Sequence, residues 1–130
     1  MKEKPIGVSL VICEQVMTES VNGKKSLIGV FNSLTAGVFP CSVGAFCVCA
    51  QLTNGRGSIR TTIRCICTET GESIQTQDYT AVFLNPNTIV EIVFVFRQVS
   101  FPSPGLYAIE LSCEEELVSE TRFQLSGAAK

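Results

Sequence analysis

Cysteine is the residue type here with the widest chemical reach, and the chain has seven of them. Four form close pairs: Cys47 and Cys49 in "GAFCVCAQLT", and Cys65 and Cys67 in "SIRTTIRCICTET". Ionised thiols are nucleophiles, redox groups and soft metal ligands. Four sulfurs meeting at one point would therefore make a metal or redox centre. The spacing speaks against it. Zinc sites favour cysteines separated by two to four residues on tight turns, where sulfurs converge tetrahedrally. A Cys-x-Cys pair inside an alternating strand holds its two sulfurs parallel on one face.

Pairing residues 43–53 with 58–68 across the "NGRG" turn, Thr53 opposite Ser58, separates the pairs further. Phe46, Val48, Ala50 and Leu52 then share an apolar face with Cys65, Ile63, Thr61 and Ile59. Cys47 and Cys49 fall on the opposite face, beside Arg64 and Arg60. A slip of one residue would gather the four sulfurs but set Phe46 and Val48 against arginine and threonine. In the unslipped register Cys65 and Cys67 are expected to be small buried hydrophobes. Cys47 and Cys49 are the thiol candidates, either ionised more readily by the neighbouring arginines or covered by another sheet or a second subunit. Cys13, Cys41 and Cys113 stand alone in the sequence.

The chain has no histidine. That removes the commonest general base near neutral pH and the commonest metal ligand, and it rules out every Ser-His-Asp and Cys-His arrangement. Glu114, Glu115 and Glu116 read as a solvated hairpin tip. The glycines of "NGRG" precede no helix that would hold a phosphate. Glu69, Glu72, Asp78 and Glu91 have no spacing that makes two carboxylates converge. No catalytic residue, cofactor or metal is expected.

These side chains sit on a run of strands. Period-two alternation recurs throughout, broken every eight to twelve residues by turn signals, the rhythm of a sandwich or barrel. Asn22-Gly23 in "SVNGKKS" is a strong hairpin signal. "TNGRGS" and "TETGES" are further glycine-containing turns, "LNPNT" breaks at Pro86, and "SFPSPG" must run extended. Strands are expected near 7–16, 25–34, 43–53, 58–68, 73–84, 88–98, 105–113 and 116–125. In the last two, Tyr107, Ile109, Leu111, Cys113, Leu117, Phe123 and Leu125 are expected to face inward. The 130 residues fit one domain, 1–130, an antiparallel all-β sandwich of about eight strands.

The formal net charge is -2, with no basic surface interleaved with aromatics, so nucleic acid is not an expected partner. The basic start of "MKEKPIGVSLVICEQV" is followed by Pro5, a short apolar run and Glu14, unlike a secretory leader. No apolar stretch is long enough to span a bilayer. A cytoplasmic protein with reduced thiols is expected. In "TIVEIVFVFRQ", Val90, Ile92, Phe94 and Phe96 form one face, while Ile89, Val93 and Val95 make the other face apolar as well. "VSLVIC" is also apolar on both sides. Such strands lie between layers or against another chain, and the mean hydropathy of +0.31 favours self-association. Ile89, Val93 and Val95 are the interface candidates.

The segment from "VICEQV" to "QLTNGRGS" resembles a family of small bacterial proteins of unknown function. The likeness rests on Cys13-Glu14, Gly23-Lys24, Leu27-Ile28-Gly29-Val30-Phe31 and Phe39-Pro40, in that order. "PGLYAIEL" followed by "EEELVSETRFQL" resembles the family's final hairpin, and the Pro-Gly-x-Tyr strand entry of immunoglobulin-like sandwiches. The resemblance implies an immunoglobulin-like β-sandwich with no established activity and no catalytic residues to transfer. Gly29 is expected at a bulge or close backbone approach, with Phe31 and Phe39 in the core. The expected function is a non-enzymatic module binding a protein partner or its own copies. The alternative is a cysteine-based metal-binding or redox-sensing protein using Cys47 and Cys49.

Overall fold

A computed structural model describes residues 4–127; the outermost residues of the expected 1–130 domain lie outside it. Nine strands follow one another among the described residues: β1 (Ile6–Thr18), β2 (Lys25–Val30), β3 (Ser33–Ala36), β4 (Cys41–Thr53), β5 (Gly57–Cys67), β6 (Ser73–Phe83), β7 (Val90–Phe101), β8 (Gly105–Cys113) and β9 (Glu116–Gly127). They form a four-stranded sheet, β2-β1-β4-β7, and a five-stranded sheet, β3-β9-β8-β5-β6. The expected strand at 25–34 is divided. β2 pairs with β1, and after Phe31 the chain changes sheets so that β3 lies parallel to β9.

Three hairpins stand where the turn residues place them: β1–β2, β5–β6 and β8–β9. The expected pairing of 43–53 with 58–68 does not form. β4 pairs with β1 and β7, whereas β5 pairs with β6 and β8 in the other sheet. The "NGRG" segment crosses the sandwich instead of folding back. Asn54, at φ 65, donates its N–H to the Pro86 carbonyl at 2.9 Å. Gly55 lies so close to the Phe83 ring that a Cβ there would be 2.6 Å from it. Its glycine thus serves a close approach in the core rather than a tight hairpin.

The inward faces nevertheless match the alternation. Phe46, Val48, Ala50 and Leu52 of β4 are buried, as are Ile59, Thr61, Ile63 and Cys65 of β5. They meet across the sandwich rather than side by side. Phe46 stacks on Phe96 at 5.0 Å, Tyr107 stacks on Phe123 at 5.7 Å, and Phe101 meets the Tyr107 ring edge-on at 4.9 Å. Each of these side chains contributes roughly 1.5–3 kcal/mol through burial. Phe31 and Phe39 pack against the same core. Leu117, expected to face inward, is instead 49% exposed, and Val118 packs on the core in its place. The β8–β9 register shifts between Leu111 and Ser112, so the inward parity changes there.

Side chains close one seam between the sheets. Gln77 Nε2 donates to the Val95 carbonyl at 2.9 Å, and Gln75 Nε2 to the Arg97 carbonyl at 3.4 Å. They satisfy part of the free edge of β7 that would otherwise be open to another strand.

Candidate functional site

Sheet β2-β1-β4-β7 turns its second face away from the core. Its rows can be read from the register. Cys13, Cys47 and Val95 lie side by side, as do Val11, Cys49 and Val93; the next row holds Ser9, Gln51 and Glu91. Ile6 pairs with Thr53 beyond them. An outward face would ordinarily be wet, yet Cys13, Cys47 and Cys49 are 0%, 8% and 5% exposed. Something covers them, and it is this chain's own hairpin.

The cover follows from a distance argument. Lys25 pairs with Thr18, nine residues along β1 from Ser9. Were β1 straight, that would separate Lys25 from the Ser9–Gln51–Glu91 row by about 30 Å, far beyond a lysine's reach. Yet Lys25 Nζ lies 2.7 Å from Glu91 Oε1, and Leu27 lines one cavity of about 220 Å³ with Val11 and Cys49. The hairpin formed by residues 14–30 therefore folds back over the outer face. It leaves the sheet just past Cys13, the last residue of β1 paired with β4. Gly29 makes the bend, with φ +69 and no room for a Cβ within 3.0 Å of Glu14. The Cys13 thiol donates to the Gln15 carbonyl at the bend, at 3.4 Å.

Polar groups tie the hairpin down. Glu91 accepts from Gln51 Nε2 at 3.0 Å, and Gln51 Oε1 accepts from the Ser9 hydroxyl at 2.9 Å. Lys25, aided by Gln51, holds the Glu91 carboxyl below its ordinary pKa. Burial raises the Cys49 thiol, with Glu91 and Cys13 adding to it, and Lys25 offsets part. Burial also raises Cys13, helped by Cys47 close by.

The arginines expected beside Cys47 and Cys49 are elsewhere, because β5 belongs to the other sheet. Arg60 lies 3.5 Å from Asp78, and Arg64 lies 3.5 Å from Glu110. The second cysteine pair is buried as expected, Cys65 fully and Cys67 at 5% exposure, but the two thiols titrate apart. Burial pushes Cys65 up to about 12. Cys67, at the β5–β6 turn, is lowered, chiefly by hydrogen bonding from Thr70. Among the described residues no three thiol or acidic side chains are arranged to hold a metal ion. Val93 and Val95 are half-buried, and Ile89 is 59% exposed. Sequence reasoning missed Cys13 as the neighbour of Cys47; only the β1–β4 register shows it.

At the sandwich end, the Tyr107 hydroxyl donates to the Ser103 carbonyl at 2.6 Å. This is a tyrosine corner, and the residue two places on, a cysteine in antibody domains, is here Ile109. The corner, together with β1-β4-β7 facing β9-β8-β5-β6, defines an immunoglobulin-like β-sandwich. Residues 8–126 match the family of unknown function DUF6941, and the chain belongs to that family. No curated protein matches it. One similar solved structure is the Pseudomonas fluorescens alkylpurine DNA glycosylase AlkC bound to DNA containing an abasic site analog. The likeness has 10% identity and a TM-score of 0.57, covering 96% of this chain and 31% of that one. An immunoglobulin-like protein from Pseudomonas aeruginosa aligns at 16% identity and TM-score 0.43, over 95% of this chain and 98% of that one. The chain thus spans about a third of the glycosylase, and the likeness is one of fold.

Among the described residues no helix is long and apolar enough to cross a membrane.

Proposed function

We propose that this chain is a non-catalytic β-sandwich module that binds another protein, copies of itself included, in the cytoplasm. One observation carries the reading. The loop between β6 and β7 displays Leu84 and Ile89, 86% and 59% exposed, on a backbone that is already fixed. The Thr53 hydroxyl donates to the Pro86 and Thr88 carbonyls at 3.3 and 3.0 Å, and the Asn54 N–H also reaches Pro86. An apolar pair on a pre-ordered loop loses little entropy on docking. Ile6, 55% exposed, flanks Thr53 and extends the same apolar end.

Charge supports a protein partner over nucleic acid. Arg60, Arg64 and Arg122 each face a carboxylate within 3.5 Å, which leaves them poorly placed to collect phosphates. The absence of histidine supports the non-catalytic reading, and thiol-rich composition supports a reducing compartment. Light scattering on the eluting protein at high micromolar concentration tests the reading. The expected mass exceeds the monomer and falls to it when Leu84→Asp and Ile89→Asp are combined. A wild-type chain of monomer mass, with no change in the double variant, would remove the basis for self-association.

A further inference from the structure

We propose that Cys13 and Cys47 are a dithiol that closes to a disulfide when the folded-back hairpin lifts and a small disulfide of the glutathione type reaches it. The site is independent of the binding surface proposed above. Cys13 and Cys47 are directly paired in the antiparallel β1–β4 ladder, so their side chains leave the same face. Directly opposed residues have Cα atoms about 4.5–5.5 Å apart, inside the roughly 4.4–6.8 Å that a disulfide spans.

The other cysteines lack such a partner. Cys47 and Cys49, like Cys65 and Cys67, are alternate residues of one strand, with parallel Cβ vectors about 6.6 Å apart, too far for a bridge. Cys49 is only diagonal to Cys13. Cys41 is paired with Phe101, Cys67 with Tyr107, and Cys113 with Thr61 and Glu116.

Access sets the order of events. Cys47 is 8% exposed and Cys13 is fully buried, its thiol engaged with the Gln15 carbonyl. Burial also keeps Cys13 protonated. Once the hairpin lifts, the Cys47 thiolate attacks one sulfur of the oxidant. A mixed disulfide forms, the oxidant's S–S bond breaks, and one small thiolate leaves. Cys13 then loses its proton and attacks the Cys47 sulfur, releasing the second small thiolate. Two protein thiols are oxidised, one small disulfide is reduced to two thiols, and the two cysteine protons end on those thiols. Cys13 must surrender Gln15 to reach Cys47, so the redox state of the pair and the bend of the hairpin share one sulfur.

The test uses the full chain, reduced and then exposed to oxidised glutathione, with intact mass and peptide mapping. The expected product has lost two hydrogens and yields a cross-linked peptide pair containing Cys13 and Cys47. Cys13→Ser is expected to halt at a Cys47–glutathione adduct, and Cys49→Ser to leave the cross-link intact. Lys25→Met frees the hairpin from Glu91 and is expected to speed closure about two- to five-fold. A cross-link between other cysteines, or seven free thiols after prolonged exposure, overturns the dithiol. Equal rates in wild type and Lys25→Met overturn the gating. Because the wild-type map decides the pair, the proposal stands or falls even if Cys13→Ser fails to fold.

Discussion

Lys25 and Glu91 meet at 2.7 Å, although β2 and β7 are the opposite edges of one four-stranded sheet. Their contact spans β1 and β4 and holds the hairpin over three buried cysteines. The ion pair is partly shielded, with side-chain exposures of 26% and 30%. Lys25 depresses the Glu91 pKa from its ordinary 4.5. A depressed folded-state pKa adds stability above the unfolded value, and that stability is lost as pH falls through the folded value. Glu91→Gln is expected to lower unfolding free energy at neutral pH by about 0.5–1 kcal/mol. In urea titrations across pH, the gap between wild type and Glu91→Gln should shrink as pH drops below 4.5. A gap that stays constant to lower pH would show that the pair contributes nothing.

The thiols offer a second check. Cys65 is fully buried with its pKa pushed up to about 12, whereas Cys67 is lowered by Thr70. Both thiols are buried, Cys67 at 5% exposure, so labelling awaits local opening of the β5–β6 turn. Because alkylation follows the thiolate, iodoacetamide should then label Cys67 well before Cys65. Thr70→Val should slow Cys67 and leave Cys65 unchanged. Peptide mapping with time measures both, and equal labelling of Cys65 and Cys67 would contradict the assignment.

Which faces look inward was legible because alternation is a local property. Phe46, Val48, Ala50 and Leu52 need only each other to reveal the buried side of β4. Which strand lies beside β4 is not local. "NGRG" announces a turn in its own residues, but the choice between folding back and crossing over depends on Phe83, whose ring occupies the space above Gly55. The same limit hid the candidate site. Cys13 looked solitary because its partner Cys47 is supplied by long-range register. Gly29 signalled a bulge, while the full reversal of the hairpin depended on Lys25 finding Glu91. "PGLY" was legible for the opposite reason: the Tyr107 corner closes within five residues, onto Ser103.

That corner can be measured. Tyr107→Phe keeps the ring packed on Phe101 and Phe123 and deletes only the hydroxyl donated to Ser103. The expected cost is about 1 kcal/mol, read from the urea midpoint with the slope unchanged. No loss would mean that water replaces the hydroxyl at Ser103 without penalty.

The β8–β9 turn holds the clearest room for improvement. Glu114 and Glu115 are the only residues between the paired Cys113 and Glu116, and both have positive φ, 49 and 72. Two left-handed central residues make a type I′ geometry, which favours Asn-Gly because a Cβ is strained there. Two adjacent carboxylates add repulsion, and among the described residues neither forms an ion pair: the turn's tether to Arg60 is a backbone bond from the Glu114 N–H, at 2.9 Å. Substituting Glu114→Asn with Glu115→Gly keeps that bond while relieving strain and charge. The double variant should gain about 1–2 kcal/mol, visible as a higher melting temperature. Glu115→Gly alone should recover part of that gain; neighbouring positions that share a charge repulsion are coupled, so the two single gains do not simply add. If the double variant melts at or below wild type, the turn is not strained and the acidic pair holds its shape through contacts of its own.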